Sequence, residues 1–372
     1  MSFFYRLLPP PSYLDFTAIG LDISDRSIKY AELAETKKGI RLKRFGSKSL
    51  DAGIIVSGEI KKPDALSAIL ASIFKPLKAG YVVSALPEER GYISVMALPQ
   101  AEKEQIREAV ELSLPEKIPL PAGEAIFDFE FMPQAAVFVG GAKIKEDQIP
   151  HQDAVVYAFP KAVVQGYLEM YLAAGLRPIS FVMETEALSR ALISKDDKNA
   201  PIMIVDFGRT RTTFVIIAGG LVRFSSTVNV AGEFLNQAIA KSLKISIRDA
   251  ESVKKEKGML NSPENSGVYD ATLPVVAAVA DEIERHIIFW NTHAEHIHGL
   301  SPEISKIIIS GGDSNLAGFK EYLGFKIGLP VEYGNAWTNV APFEEYVPEI
   351  KFNESLSYST AIGLGLIALE EN

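Results

Sequence analysis

The chain has 372 residues, 47% hydrophobic and 23% charged, which is enough length for two lobes with separate cores. A net charge of −9 disfavours nucleic acid or an anionic membrane surface as the main ligand, and the lack of cysteine excludes disulfides, thiolate metal sites and thiol nucleophiles. No apolar run reaches the roughly 20 residues of a spanning helix, and a cysteine-free chain suits a reducing cytoplasm.

Residues 1–16 read as a tail, with the apolar cluster Phe3, Phe4, Tyr5, Leu7 and Leu8 halted by Pro9, Pro10 and Pro11. A hairpin is predicted over 17–34: an apolar run ends on Asp22, a polar turn follows, and a second apolar run begins. A third strand is expected over 40–50. Residues 63–77 put Leu66, Ile69, Leu70 and Ile73 on one helical face, and 81–87 reads as a buried strand. The region of about 85–175 reads as an insertion, with strands at 92–99, 125–132 and 154–159 and helices at 101–114 and 161–174, the last stopped by Gly175. Within it, 114–123 is expected to be a shaped loop, because Pro115, Pro119 and Pro121 oppose a helix. A glycine-containing loop is expected near Gly140 and Gly141.

The chain then returns through 178–192 and a polar linker at 194–201. At 202–218 the opening pattern recurs: an apolar run ends on Asp206, then a turn with Gly208, Arg209 and Thr210, then another apolar run. A mainly helical region of about 229–300 follows. The strand at 304–310 runs into Gly311 and Gly312, with a helix expected to open at Asn315 and Leu316, and an apolar helix over 357–369 closes the chain. His286, His293, His296 and His298 read as a solvated helix end, and Phe289 and Trp290 as core.

Duplication of an Asp-tipped hairpin has a chemical reason. Two such tips facing each other could hold a polyphosphate through backbone N–H groups while their carboxylates hold its metal ion. Paired glycines after the third strand let the backbone approach a ring or sugar closely, and the helix beyond them favours an anion.

In this order, the three elements are similar to the phosphate-1, phosphate-2 and adenosine motifs of the actin-like ATPase superfamily. That resemblance implies a two-lobed α/β fold of duplicated ribonuclease H-like units. Within the superfamily the chain resembles the PilM family of type IV pilus assembly, a relative of FtsA. The carriers are G20-L-D-I-S-D-R-S-I-K-Y-A-E-L, S113-L-P-E-K-I-P-L-P, E184-T-E-A-L-S-R-A, D206-F-G-R-T-R-T, A250-E-S-V-K-K-E-K-G-M and A361-I-G-L-G-L. Actin and MreB carry their extra subdomain early, whereas here 35–62 is too short for one and the insertion lies at about 85–175, as in FtsA and PilM. The chain closes at Asn372 on its apolar helix without the amphipathic tail of FtsA, which favours PilM. The expected subdomains are 17–84 with 176–195 (1A), 85–175 (1C), 196–228 with 303–372 (2A) and 229–302 (2B).

By position, the resemblance implies that Asp22 and Asp206 hold Mg²⁺ through water and that Lys29 reaches the phosphates of ATP or ADP. Ser24, Ser27, Gly208, Thr210 and Thr212 would line the phosphate turns. Glu251 and Lys254 would face ribose and adenine, Gly311, Gly312 and Asn315 would support the adenosine, and Glu184 would position the attacking water. Ser24 stands where the family has glycine, and Asp25 where it has a small hydroxyl residue; Arg26 and Arg209 are at hand to neutralise Asp25 or to contact phosphate. Nucleotide binding with slow or absent hydrolysis is therefore expected.

The function implied is a cytoplasmic ATP-binding scaffold. It would bind the N-terminal cytoplasmic peptide of a PilN-like inner-membrane protein in a groove walled by residues 113–130. Through that partner it would sit at the inner membrane and meet PilB-, PilT- and PilC-type motor and platform proteins, with a homo-oligomer also expected. The alternative is an FtsA-like filament. A small-molecule kinase of the same fold is disfavoured by the apolar, Pro-flanked insertion.

Overall fold

The structure, a computed structural model, describes residues 18–99, 103–121, 123–132, 151–194, 197, 200–293, 303–340 and 346–371. The first hairpin is β1 (Ala18–Ile23) with β2 (Ser27–Thr36), extended by β3 (Gly39–Ser49). A short ladder of β4 (Ile55–Val56) and β5 (Glu59–Ile60) leads to α1 (Pro63–Leu77) and β6 (Tyr81–Leu86). The inserted region supplies β7 (Tyr92–Pro99), α2 (Lys103–Lys117), β8 (Ala125–Phe131) and β9 (His151–Pro160). α3 (Lys161–Ala173), read from the sequence as part of the insertion, buries Tyr167, Met170 and Tyr171 in the first lobe's core with Ile19, Leu21 and Phe74. Next come β10 (Arg177–Met183) and α4 (Glu184–Leu192). The second hairpin is β11 (Ile202–Phe207) with β12 (Thr212–Ala218), followed by β13 (Leu221–Val228), α5 (Gly232–Leu243), α6 (Ile247–Lys257) and α7 (Ser266–His293). The chain ends with β14 (Lys306–Ser310), α8 (Phe319–Ile327), β15 (Val331–Tyr333), α9 (Phe352–Ser355) and α10 (Ser359–Glu370).

Two five-stranded sheets share one plan, ordered β10-β6-β1-β2-β3 and β13-β12-β11-β14-β15. In each, the central strand pairs antiparallel with its hairpin partner and parallel with a later strand. All six residues of β1 are buried, and so are all but Asp206 in β11, which is why both read as unbroken apolar runs. This is the two-lobed α/β actin-like architecture. A third, antiparallel sheet, β7-β9-β8, belongs to the inserted α+β region.

The lobes meet where α10 crosses α4. α10 is apolar on every side and buried along most of its length, as a helix packed on all faces must be. At the crossing, a Cβ on Gly363 would lie 1.8 Å from the Ala187 carbonyl oxygen, so only glycine lets the two backbones touch.

The inserted sheet has its own core, and this overrides one sequence expectation. Residues 114–117 are helical, not loop. Ile106, Val110, Leu114 and Ile118 recur every four residues and bury one stripe against Met96, Phe127 and Val156. Pro115 falls in the last turn of α2, where its missing N–H leaves only the carbonyl of exposed Glu111 unpaired within the helix.

Two further expectations are corrected. The helix after Gly311-Gly312 opens at Phe319, because residues 312–315 form a single 3₁₀ turn that ends the strand first. Phe289 is 42% exposed and packs on Phe224, whereas Trp290 is core. His286 is also a core residue, stacked 4.8 Å from Phe214, and its burial pushes its pKa down. The tail 1–16, the loop near Gly140, and His296 and His298 lie outside the described residues, as does the His293 side chain. No helix among the described residues is long and apolar enough to cross a membrane.

Candidate functional site

Strand register places the two carboxylates in equivalent positions. Asp22 lies opposite Lys29 near the end of β1, and Asp206 lies opposite Thr213 and beside Ser310 near the end of β11. The charge of Asp22 acts on Asp206. Burial raises Asp22, with Lys29 and Arg211 opposing. Asp206 is pushed up to about 6 by burial and then by the Asp22 charge, while Lys29, Arg211 and Ser310 pull it down. Each lobe therefore contributes one carboxylate to a shared electrostatic site, with Lys29 acting on both.

The first turn is built from side-chain bonds. The Ser24 N–H donates to the Ser27 carbonyl at 2.9 Å, their hydroxyls lie 3.0 Å apart, and Lys29 Nζ donates to Ser27 Oγ at 3.0 Å. In the second turn the Gly208 N–H donates to the Arg211 carbonyl at 3.0 Å, and the Gly208 carbonyl accepts the Gly232 N–H at 3.0 Å. Thr212 Oγ1 donates to the Val230 carbonyl, and Thr210 lines a cavity of about 480 Å³ with Asp25, Glu89, Arg211 and Asn229.

Arg211, which sequence reasoning passed over, dominates the site. It reaches from the second lobe to three carboxylates of the first: Glu184 at 2.6 Å, Glu89 at 2.8 Å and Asp25 at 3.8 Å. Burial opposes its charge, but Glu184 and Glu89 outweigh that and raise its pKa. Glu184 itself is raised well above the usual carboxylate range, mainly by burial. Beside it, Glu88 accepts from Thr185 Oγ1 at 3.1 Å, and burial pushes it up to about 7. D206-F-G-R-T-R-T carries two arginines, Arg209 and Arg211, and nothing in their spacing says which of them meets the first lobe's carboxylates. Arg26 and Arg209, expected to neutralise Asp25 or contact phosphate, both pair with Glu233, and Arg26 also feels the charge of Asp25. Asp25 takes the backbone N–H groups of Ser57 and Gly58, at 2.9 and 3.1 Å.

The remaining predicted residues surround this centre. Glu251 pairs with Lys255 at 2.8 Å and with Arg209 at 3.7 Å. Lys254 is buried and donates to Asp313 and, at 3.4 Å, to the Gly232 carbonyl. Gly311 has φ +92°, and a Cβ there would lie 2.4 Å from the Phe207 carbonyl oxygen, so the third motif is pressed against the end of β11. Asn315 donates to the Asn353 carbonyl at 2.6 Å.

The donor set fits a hard divalent cation with retained water: one buried and one half-buried carboxylate, with a lysine acting on both. Among the described residues there is no group of three or more metal-binding side chains, so any cation here would keep much of its water.

Comparisons with known proteins agree with this architecture. A solved PilM–PilN type IV pilus biogenesis complex aligns with TM-score 0.75 and 23% identity, covering 95% of this chain and 98% of that one. EutJ of Carboxydothermus hydrogenoformans aligns at 0.53 and 15% identity (96% and 90% covered), and ADP-bound MreB5 of Spiroplasma citri at 0.52 and 14% (95% and 97% covered). FtsA of Neisseria meningitidis is 24% identical over 216 residues, 54% of this chain and 50% of FtsA, so the chain spans about half the length of that relative. The family model described as type IV pilus assembly protein PilM matches residues 20–369, and the chain belongs to that actin-like family.

Proposed function

We propose that this chain is a nucleotide-dependent scaffold of type IV pilus assembly, which closes its lobes on ATP or ADP with Mg²⁺ and displays a groove for a PilN-like peptide. The observation that carries the first half is register: Asp22 and Asp206 stand near the matching ends of the two lobes' central strands, and Lys29 acts on both. When bound, Mg²⁺ would neutralise phosphate charge. Asp22 and Asp206 would hold its waters, and Lys29 and the turns around Ser24, Ser27, Gly208, Thr210 and Thr212 would hold the phosphates. Glu251, Lys254, Gly311, Gly312 and Asn315 would enclose the nucleoside. Turnover would be slow, because Glu184, the candidate for orienting water, is already bound to Arg211.

The second half rests on a groove of about 740 Å³ whose walls come from the inserted sheet, the first lobe and the second lobe. Glu130 and Phe131 stand on one side, Glu186 and Arg190 on α4, and Gly220 and Asn339 opposite. Of the wall expected at 113–130, only Glu130 lines it. Glu35, Glu130, Glu186 and Glu370 make the groove acidic, with Arg190, paired with Glu370 at 2.9 Å and also acting on Glu130 and Glu186, set against them. Burial and Glu130 push Glu186 up to about 7, so a peptide bearing a cationic group would relieve the repulsion. Because the walls come from both lobes, closure on nucleotide would change the groove's width.

Calorimetry with ATP and ADP in Mg²⁺ tests the first half. Binding by the intact chain and a loss of about tenfold or more in Asp206→Ala are expected, as for a lost charged contact. A pull-down with the N-terminal peptide of a PilN-like protein tests the second, and no capture with or without nucleotide would overturn it.

A further inference from the structure

Two arginines stand at the tips of the Asp-bearing hairpins and converge on a single carboxylate. Arg26 Nε donates to Glu233 Oε1 at 2.8 Å and its Nη2 to Oε2 at 3.3 Å. Arg209 Nε lies 3.5 Å from the same Oε1, and its Nη2 lies 3.7 Å from Glu251. Glu233 sits in the first turn of α5, anchored by its N–H to the Arg209 carbonyl at 2.8 Å. The Arg26–Glu233 pair therefore bridges the first lobe's turn to the second lobe, between the two carboxylate tips.

We propose that Arg26 and Arg209 are phosphate ligands of the bound nucleotide, and that Glu233 is an internal placeholder which occupies them until it arrives. The proposal rests on the nucleotide reading above and adds residues to it. The fork that holds a carboxylate through two oxygens also fits a phosphate, which carries more charge. Neither arginine is needed at Asp25, whose oxygens are taken by Ser57 N–H, Gly58 N–H and Arg211. The pairs are partly exposed, with side chains 25–48% accessible, so giving them up costs little stability. Arg26, Arg209 and Lys255 together face Glu233 and Glu251, three cations to two carboxylates, which leaves positive charge for an incoming anion.

The test is calorimetry on the full chain with Mg²⁺ and either ADP or a non-hydrolysable ATP analogue. Glu233→Gln removes the competitor and should tighten triphosphate binding by about threefold to tenfold, while Arg26→Ala and Arg209→Ala should each weaken it by about tenfold. In Arg26→Ala/Glu233→Gln most of the gain should vanish. A latch that merely held the lobes together would give losses in all the single variants, so the opposite sign at Glu233 is diagnostic. If the intact chain binds neither nucleotide, the nucleotide reading falls and this proposal with it. If it binds but Glu233→Gln binds no more tightly, or both arginine variants bind normally, only the placeholder is overturned. Thermal unfolding checks each fold. Should Arg26→Ala unfold, Arg26→Lys, which keeps the charge and loses the fork, replaces it and should also bind more weakly.

Discussion

The two Asp-tipped turns begin from the same strand plan and finish differently. The first is closed largely by its own side chains: Ser24, Ser27 and Lys29 bond one another, Asp25 is held by neighbouring backbone of its own lobe, and the partly exposed Arg26 crosses to Glu233. The second is closed only by backbone at Gly208, and its last residue, Arg211, leaves for the other lobe. Duplicated strand order fixes where the carboxylates stand, whereas turn side chains decide whether a tip meets the other lobe through a partly exposed pair or a buried cluster. The same strand plan can thus keep its paired carboxylates while changing how firmly its halves are tied.

Removing Arg211 should break that difference most sharply. Arg211→Met keeps much of the side chain's reach and deletes the cation shared by Glu184, Glu89 and Asp25, whose side chains are only 11–16% exposed. Losing one partner of such a buried set costs about 3–5 kcal/mol. Arg209→Met, at a half-exposed residue of the same turn, should cost less than about 1 kcal/mol. Urea denaturation of both variants gives the comparison, and equal losses would mean that Arg211 is no inter-lobe tie.

The next effect is read by pH. Glu88 and Asp206 are both raised by burial, to about 7 and about 6, above their ordinary values of 4.5 and 3.8. A carboxyl raised on folding stabilises fully below its unfolded pKa, and that contribution is lost as pH climbs through the folded pKa. The protein without nucleotide should therefore lose stability between about pH 4 and 7, Glu88 accounting for about 3 kcal/mol. Thermal unfolding across that range should show the decline, with Glu88→Gln flattening it towards pH 7. Mg²⁺ with nucleotide should oppose the Asp206 part above pH 6 and have little effect below it, because bound cation requires the carboxylate.

Much of the fold was legible because the periodicities are clean. The buried runs ending on Asp22 and Asp206, the paired glycines after β14 and the apolar α10 each carry a local signal, and together they carry an order. What escaped was decided by partners distant in sequence. Pro115 reads as a breaker until Ile106, Val110, Leu114 and Ile118 find a sheet to cover. Phe289 and Trp290 are neighbours of similar character, and only the docking of α7 chooses which one is buried. Arg211 could not be told from Arg209 without the first lobe's carboxylates, and Glu88 and Glu89 carried no motif.

Smaller effects sharpen the contrast within the turns themselves. A Cβ at Gly208 would lie 2.9 Å from the Arg211 carbonyl oxygen that its N–H must reach, so Gly208→Ala forces the turn to shift, at about 1–3 kcal/mol. Ser24→Gly should cost less. It keeps the backbone bond to Ser27 and loses only the hydroxyl contacts, about 0.5–1.5 kcal/mol with the added chain entropy. Because Ser24 Oγ also orders Ser27, and Ser27 Oγ accepts from Lys29, the substitution should loosen the lysine as well. Weaker ADP binding with a nearly unchanged denaturation midpoint is the expected pattern. Large stability losses in Ser24→Gly would instead mean that the first turn, like the second, bears load between the lobes.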